Sequence, residues 1–205
     1  MKLATLTIII LIVIISCNQD NSKHFNNENK KSTSDTSYHA LIDDFRKFRD
    51  VVYHHEVRNT KLFFQFPILN YNNEIWKWVL TEKEKDKKEI KSDTIIPFEE
   101  KDFDKYFDRL FPKEFITGIL KIKSDSLFTN GNFKTEVFIK QKGISFNISS
   151  SYDKNSNSIT ISLNFRKEFK DENGDDLDDE ESSIIYQFTI SKDNHLLFKD
   201  IRMAG

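Results

Sequence analysis

The chain has 205 residues, which as a prior means one domain with appendages, and a hydrophobic fraction of 38% with 19 Phe supplies a core without disulfides. Lys and Arg (31) nearly cancel Asp and Glu (33), so a net charge of -2 leaves no field to draw nucleic acid, and none is expected as a partner. A single cysteine excludes an internal disulfide and needs another explanation.

The N-terminus supplies one. Lys2 is a short positive region, and Leu3 to Ile15 is uncharged and almost wholly aliphatic, with Thr5 and Thr7 its only polar members. Such a run fits the apolar core of a signal peptide and falls short of the roughly 20 residues that span a bilayer. Ile14-Ile15-Ser16-Cys17 follows, then the polar Asn18-Gln19-Asp20. These four residues resemble the bacterial lipobox. The resemblance implies cleavage before Cys17, a diacylglyceryl group on its thiol and an acyl chain, typically palmitate, on its amine. Ile14 and Ser16 stand where that motif usually has Leu and Ala or Gly. Residues 1–16 are thus expected to be a lipoprotein signal peptide and Cys17 a membrane anchor, since two or more acyl chains suffice for stable attachment. Asn18 is not the Asp that retains enteric lipoproteins in the inner membrane, which points to the outer membrane.

Residues 18–37 are Asn, Ser, Lys, Thr and Asp with one large apolar residue, Phe25. Such a stretch buries too little surface to offset its ordering entropy, so 17–37 is expected to be a lipidated cysteine and a disordered tether, spanning roughly 25 Å as a coil. A single globular domain is expected over 38–205.

Within it, Leu41, Phe45, Phe48 and Val52 mark one stripe of a helix, flanked by the charge pairs Asp43–Lys47 and Arg46–Asp50. A short helix over Thr60 to Gln65 must stop near Phe66, because Pro67 pushes its predecessor out of the α region. Ile75 to Leu80 reads as a strand, and the Lys- and Glu-rich Thr81 to Lys91 as an exposed turn or hairpin tip. After Pro97, Phe103, Phe107, Leu110 and Phe111 share a helical face that Pro112 ends, and another turn carries Phe115, Ile116 and Ile119.

Beyond Asn130-Gly131 the period becomes 2. Val137 and Ile139 are joined to Ile144, Phe146 and Ile148 across Gln141-Lys142-Gly143, a hairpin link. Ile159 to Phe165 and Ile184 to Ile190 alternate apolar with polar residues, and Leu197 to Arg202 closes the set. One apolar face per strand means a sheet covered on one side. The expected class is α+β, with N-terminal helices packed on one face of a curved antiparallel sheet.

That order of elements, with Phe63-Phe64-Gln65-Phe66-Pro67 at one junction, Phe111-Pro112 at another and Ile201-Arg202-Met203-Ala204-Gly205 at the end, is similar to the nuclear transport factor 2-like (cystatin-like) lipoproteins of Bacteroidetes. The resemblance implies helices wrapped round a curved sheet and a cone-shaped pocket. Some members are isomerases or dehydratases and many only bind, so it implies a pocket rather than a reaction.

The candidate chemistry is sparse. His54-His55-Glu56 is the densest set of proton-transfer groups, but adjacent helical residues point about 100° apart and His is favoured at a helix C-terminus. Trp76 and Trp78, if on a strand, face the same way and could line a pocket for a flat ligand, although aromatic residues more often pack a core. The acidic run Asp171 to Glu181 fails as an EF-hand, because placing Gly174 at the loop's sixth position puts Phe169 where a first oxygen ligand belongs, and it reads as a solvated hairpin loop, with an irregular, weak Ca²⁺ site as the lesser alternative. No metal ligand set, phosphate loop or nucleophile elbow is present, and no cofactor is expected. The function expected is therefore ligand or protein binding in the cell envelope, with the membrane reached through the lipid and an envelope protein as partner. The alternatives are a pocket enzyme using His or Asp as acid–base, and an envelope immunity protein.

Overall fold

A computed structural model describes residues 25–88, 90, 94–141, 143–169 and 179–205, with side chains from Tyr38 onward. The expected signal peptide, Cys17 and most of the acidic loop lie outside the described residues. The chain divides into two units between His39 and Ala40. Of the first, the described part is helical backbone from Phe25, the start of α1 (Phe25–Tyr53). A disordered tether is expected over part of that stretch. No Gly or Pro interrupts 25–53, and once the apolar turns from Leu41 onward have formed, each added residue gains a hydrogen bond without a new nucleation cost.

The second unit, Ala40–Gly205, holds the core. The α1 stripe is as the spacing predicts: Leu41, Phe45, Phe48 and Val52 are all buried. After His54-His55, with His55 in the left-handed region at φ 56°, come α2 (Val57–Thr60) and a 3-10 turn, Lys61–Phe63. The Phe66–Pro67 peptide is cis.

Residues 75–80 form no strand. All but Leu80 belong to α3 (Glu74–Val79), which buries Ile75, Trp76 and Val79. Positions i, i+1 and i+4 form one helical face, and six residues are too few for periodicity to decide between helix and strand. Buried Asn70 fixes the outcome by accepting the Ile75 backbone N–H at 2.7 Å. The expected turn beyond it is also helical, α4 (Glu82–Lys88), because Thr81 and Glu84 cap it: the Thr81 backbone N–H and hydroxyl both donate to Glu84 Oε2 at 2.9 Å.

A reciprocal capping box of Glu99 and Asp102 starts α5 (Glu100–Leu110), which buries Phe103, Tyr106, Phe107 and Leu110. Pro112 precedes α6 (Lys113–Ile119), and α7 (Ser124–Asn130) ends at Gly131 in the left-handed region, φ 76°.

The sheet has β1 (Asn132–Lys134), β2 (Phe138–Gln141), β3 (Ile144–Asp153), β4 (Ser158–Lys167), β5 (Glu180–Ile190) and β6 (Leu196–Ala204). It is six-stranded, antiparallel, curved and open, in the order β1-β3-β4-β5-β6, with β2 also pairing β3 beyond β1. The class is α+β, as the residue pattern predicts.

Alternation sorts the strands' two faces. Ile148, Ile161, Leu163, Tyr186 and Phe188 are buried beneath the helices, while Asn147, Ser149, Ser162, Asn164 and Gln187 are half-buried on the other side. Gly118 lets α6 press on β3: a Cβ there would stand 2.6 Å from Ile148 Cδ1. The β6 edge is closed by side chains, with Glu74 accepting the Met203 N–H at 2.7 Å and Asn70 donating to the Ile201 carbonyl at 3.0 Å.

Candidate binding surface

The space where a pocket between helices and sheet is expected is filled with aromatic rings. Phe48 meets Phe188 at a centroid distance of 4.9 Å, Phe64 meets Phe198 at 4.8 Å, and Phe115 meets Tyr186 at 4.2 Å. All six are buried. Tyr186 donates its hydroxyl to the Leu110 carbonyl at 2.7 Å, and burial raises its pKa above the ordinary tyrosine value. A neutral phenol whose O–H is engaged by a backbone carbonyl is a packing group, not a base.

The expected site residues do not converge on this interior. His54 and His55 follow α1, as the sequence suggests, and both are exposed. His54 lies edge-on to Tyr53 at 5.0 Å. His55 packs its ring on Phe107 at 4.7 Å, with Nδ1 3.2 Å from Asp108 Oδ1. Trp76 and Trp78 are on helix α3, so they do not share a face as they would on a strand. Trp76 is wholly buried, donates Nε1–H to the Ile96 carbonyl at 2.9 Å, and carries Lys88 Nζ at 3.6 Å from its ring centroid. The Trp78 indole N–H is buried without a hydrogen-bond partner among the described residues. The Trp76 ring is closed to a ligand, while Trp78 is half-buried.

Among the described residues no group of three or more His, Cys, Asp or Glu is placed to hold a metal ion, and no helix is long and apolar enough to cross a membrane.

The described grooves lie outside. One, of about 490 Å³, sits on the uncovered face of the sheet. Its floor is a hydrogen-bonded set of amides and hydroxyls: Asn164 Nδ2 donates to Asn147 Oδ1 and to Ser149 Oγ, each at 3.1 Å, and Ser183 donates to Asn164 Oδ1 at 2.8 Å. Lys134, Arg166, Glu168 and Glu181 also line it, two cations with two carboxylates. A second groove, about 480 Å³, runs between the α6–α7 connection and the β1–β2 edge, with Lys121, Lys123 and Lys134 round Phe133 and Phe138. A third lies beside α2, where Lys61 is paired with Glu100 and Asp104.

These surfaces carry chemistry that the sequence showed without marking it. Thr160, Ser162 and Asn164 are visible as the polar half of an alternating strand, but only strand pairing shows that Asn147, Ser149, Asn164 and Ser183 lie side by side. Lys121, Lys123 and Lys134 follow no spacing, because their nearness depends on a helix connection meeting a sheet edge.

No protein family, curated protein or solved structure matches the chain.

Proposed function

We propose that this chain is a lipid-anchored protein of the cell envelope whose folded domain binds another envelope component through its outer surface. The anchor rests on Lys2, the aliphatic run to Ile15 and the lipobox-like Ile14-Ile15-Ser16-Cys17. The resemblance to nuclear transport factor 2-like lipoproteins is part of the same proposal, supported by helices preceding a meander in an α+β chain.

The observation that carries the binding reading is the packed interior. A pocket enzyme needs an acid–base group facing an open, concave site. Here the rings of Phe48, Phe115, Tyr186 and Phe188 occupy that space, and His54 and His55 lie outside it. What remains is a polar sheet face, a lysine-lined groove and the exposed side chains of Val137 and Ile139.

The test has two arms on the full chain. Metabolic labelling with a clickable fatty acid is expected to mark the wild type and not Cys17→Ser, which should also leave the membrane fraction. A photo-crosslinking residue at Gln187, in the middle of the uncovered face, is expected to yield a discrete adduct with one envelope protein. Label retained by Cys17→Ser would overturn the anchor. Absence of adducts from every surface position tried would overturn the binding role.

A further inference from the structure

β1 and β2 lie end to end on the outer side of β3, and each pairs with β3 alone among the described strands. At the opposite edge of the sheet, backbone groups of β6 are occupied by Glu74 and Asn70. The two edges are therefore treated differently by the same fold. An edge strand presents a row of unpaired N–H and C=O groups, which proteins generally cover, shorten or charge. This one is short and broken: Thr135 still gives its N–H to the Ile148 carbonyl at 2.8 Å and accepts the Ile148 N–H on its hydroxyl at 2.9 Å, but the pairing lapses at Glu136 and Val137 before β2 resumes it. It also keeps two apolar side chains in water: Ile139 is 83% exposed and Val137 60%.

Charge separates this edge from the other described surfaces. The sheet-face groove sets two cations against two carboxylates, and the groove by α2 sets Arg58 and Lys61 against Glu100 and Asp104. Along the β1–β2 edge the groove is lined by Lys121, Lys123 and Lys134, the last shared with the sheet-face groove, and by one carboxylate, Glu136. Among the described residues none of those three lysines forms an ion pair. In a chain of net charge -2, a cationic groove beside an open strand edge is a local reversal of sign.

We propose that the β1–β2 edge is a strand-addition site for an extended, acidic segment of a protein partner. This rests on the binding reading above and names the surface and the chemistry of what it binds. The partner's backbone would extend the ladder, its apolar residues would cover Val137 and Ile139, and its Asp or Glu side chains would meet Lys121, Lys123 and Lys134. In such complexes the main chain supplies affinity and alternate side chains supply specificity. Opposite charge along the groove speeds encounter and selects against basic segments.

The first arm of the test is a titration of the full chain, followed by backbone amide NMR. The titrants are a short peptide alternating Val and Glu, and its Val–Gln and Val–Lys counterparts. The proposal expects the Val–Glu peptide to shift and protect amides within 132–141. It also expects about a tenfold or greater loss of affinity in the triple variant Lys121→Glu, Lys123→Glu, Lys134→Glu. These lysines are exposed and unpaired, so the variant keeps the fold, which an unchanged amide spectrum elsewhere verifies. Equal binding of all three peptides, no binding, or concentration-dependent pairing of two copies along this edge would overturn it. The second arm places the crosslinker at Ile139 in one variant and Gln187 in another. Adducts from Gln187 alone would overturn the edge while leaving the binding role intact, whereas none from either position or elsewhere on the surface would overturn both.

Discussion

Asp44, in the first turn of the buried stretch of α1, holds the start of β6: its Oδ2 stands 3.0 Å from His195 Nδ1 and accepts the Leu196 backbone N–H at 2.7 Å. Because a carboxylate can only accept, Nδ1 is the donor in this contact. The other ring nitrogen is 2.9 Å from the Leu62 carbonyl, and the ring lies 5.2 Å from that of Phe63. One carboxylate thus ties the β5–β6 turn to the first helix and to the segment after α2. Replacing Asp44 by Ala leaves the Leu196 N–H without its acceptor, and the expected loss is about 1–3 kcal/mol. Urea unfolding of Asp44→Ala and Asp44→Asn measures it, with Asn recovering part because its carbonyl still accepts.

Tyr186 makes a different kind of core contact. Its hydroxyl donates to a carbonyl beneath α5, while its ring lies against Phe111 and Phe115. Tyr186→Phe keeps the rings and is expected to cost about 1–2 kcal/mol. The pH dependence has a definite sign. A pKa raised in the folded state gives stability that is full below the unfolded value, 10.0, and declines as pH rises above it. Denaturation midpoints of the wild type are expected to fall relative to those of Tyr186→Phe above pH 10.0.

The close approach of α6 to β3 gives a packing test. A methyl at Gly118 would meet Ile148 Cδ1 at 2.6 Å and Cγ1 at 2.7 Å, and Ile148 is itself fully buried. Gly118→Ala is expected to destabilise by about 1–3 kcal/mol through overpacking. Adding Ile148→Val removes the nearer atom, so the double variant should be more stable than the sum of the two single changes predicts, measured as a double-mutant cycle.

Glu84 gives an acid-side prediction. The Thr81 backbone N–H, then Arg109 and the Thr81 hydroxyl, lower its carboxyl from 4.5 to about 2. A depressed carboxyl contributes stability above its unfolded value and loses it as pH falls to the folded one. The cap on α4 is therefore expected to hold at pH 4.5 and to release between there and about 2, read as the Glu84 carboxyl resonance in an NMR titration. Glu84→Gln removes that transition.

The same capping pair shows where the fold was legible. Thr81 and Glu84 have the spacing of a capping box, a local signal, yet the lysine-rich composition around them reads as a turn. For Ile75 to Leu80 local sequence is insufficient, since the deciding hydrogen bond comes from Asn70, whose own amide is held by the carbonyl of Ile201. The α1 stripe and the four long strands were readable because their periods persist over many residues. The candidate surface was half-readable: the polar face of β4 is plain in Thr160, Ser162 and Asn164, whereas Lys121, Lys123 and Lys134 follow no spacing and meet only where the α6–α7 connection reaches the sheet edge. The packed interior could not be read either, because a Phe count fixes how much aromatic volume exists and not whether it closes a cone.

The claim that the outer surface, and not the interior, is what this protein uses is tested most directly by hydrogen exchange. Amide exchange is measured on the full chain in isolated envelopes and again on the purified chain. The account predicts added protection in envelopes along 132–141 and on neighbouring strands of the uncovered face. Added protection confined to α5, α6 and the helix-facing strand positions, where a ligand entering the interior would act, would contradict it.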